Sequence, residues 1–277
     1  MTQNLRQLLF LTLAPLTVFA AARQNVSAPA AHKQKQTSAQ PASSLPIART
    51  WTPPDTTKIP PGPEGQAILL GFHIFTQTPK YAAPHVGNEL SCGDCHLQGG
   101  TMSYGIALVG TPNWFPMFSE RAKRDISIED RIQECVTRSE NGAPFSHDGP
   151  EMNALFSYLR WISQQGESRK QAPVRGLASV PALNGDPARG EIVYKDTCAT
   201  CHGEDGAGVA GILPALWGPG AYNQGAGMNQ VSKMAAFVLR NMPQNNPGSL
   251  TPQQAYDVAA YVASKPHSPY NHAYDVY

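Results

Sequence analysis

Two short segments of this chain pair cysteines with a histidine. SCGDCHL places Cys92, Cys95 and His96 in a C-x-x-C-H arrangement, and TCATCHG repeats it with Cys198, Cys201 and His202. Thiols three positions apart can add to the two vinyl groups of one haem, and the adjacent histidine then reaches the iron. A redox C-x-x-C would want a βαβ setting, and a zinc site would want further Cys or His at ligand spacing; neither accompanies these motifs. Two covalently attached haem c groups are therefore the expected cofactors, with His96 and His202 as iron ligands.

Each such iron has a second axial position. Met242, 44 residues after Cys198, lies in VLRNMPQNNPGSLT, which resembles the distal methionine segment of cytochrome c domains. Met228 and Met234 are its rivals, but Met234 sits in the apolar run VSKMAAFVL and suits core packing. The corresponding step from Cys92, 43 residues, arrives at Cys135, the one cysteine outside the two motifs. We read Cys135 as a thiolate ligand of the first iron. A buried structural cysteine or an intermolecular disulfide are the alternatives, and His85, His147 and Met102 the substitute ligands. A thiolate donates electron density to iron whereas a thioether raises the potential, so electrons are expected to run from the first unit to the second.

The neighbours of Cys135 suggest an oxyanion. On a helix starting near Ser127, with Glu129 and Asp130 in its first turn, Arg131 and Arg138 lie four before and three after Cys135 and share its face. Ser139 adjoins that face, and Arg121, Lys123 and Arg124 precede the helix. Residues 120 to 138 hold five cations and five acids, so only placement can matter. The expectation is that the cations face the thiol and the acids fall elsewhere. Guanidinium forks suit a small oxyanion with paired oxygens.

Elements must position these residues. The 106-residue spacing of the two motifs suggests a duplicated unit. In the second, Asp186 caps and Pro187 opens a short helix delivering Cys198, and Thr251 caps a helix presenting Ala255, Val258, Ala259 and Val262 on one face. In the first, PEGQAILLGFHIFTQTP and EMNALFSYLRWIS correspond, the latter with Leu155, Tyr158, Leu159 and Ile162 aligned. That outline resembles class I c-type cytochromes. The fold class expected is mainly α, two such domains in tandem at 62–166 and 187–268, joined by a linker at 167–186 and ended by a tail at 269–277.

The N-terminus carries Arg6, an apolar run from Leu8 to Phe19 and then Ala20 to Ala22, the layout of a signal peptide at 1–22. The run is interrupted by Pro15 and is too short to span a bilayer. Residues 23–61, rich in Ala, Gln, Ser, Thr, Pro and Lys, read as a flexible leader. An exported, periplasmic protein with no membrane segment after cleavage is expected. A net charge of +1 gives no reason to expect nucleic acid as a partner.

The blocks GNELSCGDCHLQGGT, RIQECVTRSENGAP, YKDTCATCHGEDGAG, LPALWGPGAYNQGAGM and LRNMP, in this order, resemble the diheme thiosulfate dehydrogenases, which couple two thiosulfate ions into tetrathionate. The resemblance implies a catalytic haem ligated by His96 and Cys135 and an electron-exit haem ligated by His202 and Met242. It further implies substrate contacts from Arg121, Arg131, Ser139 and Gln98, and a small soluble c-type cytochrome or similar electron acceptor. Some relatives carry lysine immediately before the methionine; Asn241 stands here, so stable methionine ligation is expected. A plain diheme electron-transfer cytochrome, and an enzyme placing thiosulfate on a carrier-protein cysteine, are the rival functions.

Overall fold

Proline and small polar residues set the helix starts along this chain. Asp186 accepts from the Ala188 and Arg189 amides ahead of the helix opening at Pro187. Thr251 and Gln254 form a capping box ahead of Pro252. Both match the sequence signals. The computed structural model describes residues 54–163 and 176–275. The signal peptide at 1–22, the leader to residue 53, linker residues 167–175 and tail residues 276–277 lie outside the described residues.

The first domain is built on α1 (Pro63–Thr76), α2 (Ile128–Arg138) and α3 (Pro150–Ile162). The second is built on α4 (Pro187–Val193), α5 (Val231–Asn241) and α6 (Pro252–Ala263). α1 crosses α3 at Gly71, where an added Cβ would fall 2.0 Å from the Ala154 carbonyl oxygen. α4 meets α6 at Gly190 in the same way, 2.0 Å from the Asp257 carbonyl oxygen. Only glycine permits so close an approach, and it recurs in both domains with a tyrosine, Tyr158 or Tyr261, one turn along the partner helix. The repeat inferred from motif spacing is thus also a repeat of helix packing.

Each crossing heads its own core. Ile74, Phe75, Met152, Leu155, Leu159 and Ile162 fill the first; Tyr194, Met234, Leu239, Val258 and Val262 fill the second. Met234 is buried within this second core. Tyrosine hydroxyls then pin the motif loops: Tyr158 donates to the Gly99 carbonyl at 2.7 Å and Tyr194 to the Gly203 carbonyl at 2.6 Å.

Other segments differ from expectation. A hairpin, β1 (Met117–Ser119) against β2 (Arg124–Ile126), interrupts the otherwise helical first domain. The helix leading to Cys198 widens into a π turn over Tyr194–Cys198 before continuing as Ala199–His202. The end of the leader is ordered, with Asp55 capping a turn at Thr56–Lys58 and Ile59 packed on the first core. The end of the linker is likewise built in, Val180 and Leu183 packing on the second core.

The seam between the domains is polar and specific. Leu90 inserts from the first domain into the second domain's core. Asn88 donates to the carbonyls of Ser139 and Ala221, and Asn223 to the Thr137 carbonyl and the Asn141 side chain. The tail returns to the first domain, where Asp275 pairs with Arg138 at 2.8 Å and Tyr270 lies under its guanidinium at 3.9 Å. The end of α2 is thereby gripped by the second domain.

Candidate functional site at the thiol helix

Ser127 and Asp130 exchange capping hydrogen bonds at the start of α2, which fixes where its later side chains emerge. Cys135, in the last turn, is half-buried. Burial pushes its thiol above the ordinary range, and the positive charges of Arg131 and Arg121 oppose that rise. The same sulfur lies within electrostatic reach of Cys92 and Cys95, and Arg131 within reach of His96. Helix and first motif therefore face one another. Cys135 lies inside its helix, whereas Met242 stands one residue past the end of α5. The two slots matched by sequence offset are similar in position along the chain and different in local geometry.

The hairpin supplies Arg121 from the turn between its strands. Its guanidinium donates to Glu134 Oε1 at 3.3 Å and to the Gly225 carbonyl of the second domain at 3.4 Å. Arg131 donates to the other carboxylate oxygen of Glu134 at 2.8 Å. Glu134, its side chain 5% exposed, thus bridges both arginines. This corrects the expectation that the acids fall away from the cations: one acid is the clamp that gathers them. Sequence spacing allowed an Arg131–Glu134 pair, but nothing local announced the second arginine.

Arg138 corrects the reading in the other direction. It turns to Asp275 and Tyr270 at the domain seam instead of joining the arginines beside Cys135. Ser139 is half-buried at the end of α2, its amide donating to the Cys135 carbonyl at 2.7 Å. Gln98 has an exposed side chain on a residue with φ 52°, and no hydrogen bond from it reaches Cys135 or either arginine among the described residues. Of the substitute ligands, His85 is tied through Nδ1 to the Pro144 carbonyl at 3.1 Å and packs on Phe145. His147 is exposed on a loop and Met102 half-buried beside Gly105.

The donor set suits two c-type haems. His96 Nδ1 contacts the Ile106 carbonyl at 2.6 Å, and His202 Nδ1 the Pro214 carbonyl at 2.9 Å. A carbonyl only accepts, so the proton sits on Nδ1 and Nε2 of each ring is left with its lone pair for iron. Burial, reinforced by Arg131, pulls His96 down to about 4 and keeps it neutral, as a metal ligand must be. The four motif thiols are unbridged. Among the described residues no three His, Cys, Asp or Glu side chains converge to cage a bare ion. Separated donors of this kind fit an iron already held in a macrocycle. Met242 is half-buried at the end of α5.

Beside Glu134, one further residue escaped sequence reasoning, and Asn241 was marked only for not being lysine. Glu140 is buried, its Oε1 accepting from Thr78 and from Cys92 Sγ, both at 3.1 Å. Asn241, also buried, donates to the Tyr104 carbonyl of the first domain at 3.0 Å.

Comparison with known proteins identifies both domains. Residues 78–167 match the family model "SoxA/TsdA, cytochrome c domain", and residues 185–262 match "Cytochrome C oxidase, cbb3-type, subunit III". The thiosulfate dehydrogenase of Stutzerimonas stutzeri is 36% identical over 220 residues, covering 77% of this chain and 72% of that one. That of Allochromatium vinosum is 34% identical, covering 78% and 83%. The solved structure of thiosulfate dehydrogenase (TsdBA) from Marichromatium purpuratum, in its "as isolated" form, superposes with a TM-score of 0.73 at 35% identity. It is covered over 80% of this chain, which spans about half of that longer one, 51%. The fold is two cytochrome c domains in tandem, each carrying a covalently bound haem c. The chain is an oxidoreductase belonging to the thiosulfate dehydrogenase family.

Proposed function

We propose that the protein is an exported, periplasmic diheme enzyme that couples two thiosulfate ions into tetrathionate, releasing two electrons and no proton. The observation that carries this reading is the convergence of Arg121 and Arg131 on one buried carboxylate beside Cys135. Thiosulfate is a dianion with three oxygens on one sulfur, and two guanidinium groups hold those oxygens while the outer sulfur points toward the thiol helix. Ser139 and Gln98 complete the proposed substrate contacts. Fixed cations also lower the repulsion that keeps two dianions apart, which is the electrostatic part of joining them.

Cys135 and His96 are the proposed ligands on the substrate side, His202 and Met242 those on the exit side. When bound, the two haems supply one-electron acceptors of different potential, the thiolate-ligated one lower. A small soluble c-type cytochrome or a similar carrier takes the electrons onward. Among the described residues no helix is long and apolar enough to cross a membrane.

The test is turnover of purified diheme protein with thiosulfate and ferricyanide. One tetrathionate per two ferricyanide reduced is expected. Arg131→Ala should lower kcat/KM by about tenfold or more, the worth of one charge-assisted contact, while both haem spectra stay unchanged. Absence of tetrathionate from the wild type leaves a non-catalytic electron-transfer cytochrome.

A further inference from the structure

The arginine pair is short of charge for its proposed ligand. Two guanidinium groups sharing the carboxylate of Glu134 amount to one net positive charge, against two negative charges on thiosulfate. The second domain supplies more. The loop at Gly225–Gly227 reaches the site, with the Gly225 carbonyl accepting from Arg121. The ammonium of Lys233, on the first turns of α5, folds back over the same loop, 4.0 Å from where a Cβ on Gly227 would stand.

We propose that Lys233 is the third cation of the substrate site, bringing its net charge to two and making the dianion pocket a joint product of both domains. This rests on the thiosulfate reading given above. The electrostatics agree: burial and then the positive charges of Arg131 and Arg121 pull the Lys233 ammonium below its ordinary range, with Glu134 opposing. Three cations around one carboxylate repel one another until an anion enters, and a dianion relieves that repulsion more than a monoanion does. Among the described residues no carboxylate forms an ion pair with Lys233, so its charge is available to a ligand. Lys233 lies in the first turn of α5, the helix whose last residue, Asn241, precedes Met242.

Binding is measured on the reduced diheme protein, where thiosulfate cannot be oxidised, by calorimetric titration. Lys233→Met should weaken thiosulfate binding about tenfold, the worth of one charged contact, and Lys233→Arg should restore it to within about twofold. Haem spectra and melting temperature should not move, because the side chain is exposed on a helix surface. Thiocyanate, a monoanion, should lose less than thiosulfate in the Met variant. Unchanged thiosulfate affinity in Lys233→Met, equal loss in Lys233→Arg, or no thiosulfate binding by the wild type overturns the assignment. A protein that binds thiosulfate through Lys233 yet forms no tetrathionate sinks the dehydrogenase reading and leaves this one standing.

Discussion

Glu140 should make the folded protein less stable as pH rises, and Glu140→Gln should remove that dependence. The carboxyl is buried with one oxygen bonded to Thr78 and Cys92, while Oε2 has no partner among the described residues. Desolvation pushes it from the ordinary 4.5 up to about 7; hydrogen bonds from Cys92 and Thr78 pull the other way. Once Cys92 is a thioether its proton is gone, which removes one opposing bond and strengthens the rise. The native state then holds a proton between pH 4.5 and about 7 that the unfolded chain releases. Native stability is therefore full below 4.5, falls as pH climbs through that window and levels above it. A gap of this size corresponds to about 3 kcal/mol. Guanidinium unfolding of the holoprotein at pH 5 and pH 7.5 reads it directly. Glu140→Gln should be close to wild type at the lower pH and more stable by up to about 3 kcal/mol at the higher. Equal differences at the two pH values would refute the idea that a buried, under-bonded carboxyl is the cause.

Met242→Gly should lower the potential of the second haem by a measurable part of the roughly 0.8 V over which axial ligands set haem potentials, while Met228→Gly should leave it unchanged. Redox titration with the two haems resolved distinguishes them, and the opposite pattern would transfer the ligand role to Met228. Asp275→Ala strips the carboxylate from Arg138, whose side chain is only 8% exposed, and should cost about 2 kcal/mol in unfolding free energy. A loss within about 0.5 kcal/mol, the range of ordinary surface substitutions, would show that the tail does not hold α2.

Local chemistry was legible in the sequence; chemistry assembled across the fold was not. The motif cysteines, the caps at Ser127, Asp186 and Thr251 and the buried faces of α3 and α6 follow from spacing alone, because each depends on residues within a turn or two. Helical periodicity put Arg138 near the face of Cys135, yet a tail more than a hundred residues later draws it to the seam. Arg121 is delivered by a hairpin whose short strands carry little pattern. The Glu134 clamp therefore could not be read from α2, since its second partner comes from a different element.

Asn241 shows why the seam belongs to the chemistry. Sequence reasoning noticed it only as the absence of the lysine that some relatives place before the methionine. In the fold its amide donates to the Tyr104 carbonyl across the seam and to the Phe237 carbonyl within α5. Tyr104 is two residues from Ile106, whose carbonyl orients His96. Ile106 holds φ 53°, a left-handed conformation that a β-branched residue adopts only when its surroundings impose it. The loop so constrained carries His96 at one end and meets the residue before Met242 at the other. A lysine here would bring a charge to a position 1% exposed and give up the amide bond to Tyr104. Asn241 therefore ties the end of α5, next to Met242, to the loop whose Ile106 carbonyl orients His96, a link that a lysine would give up.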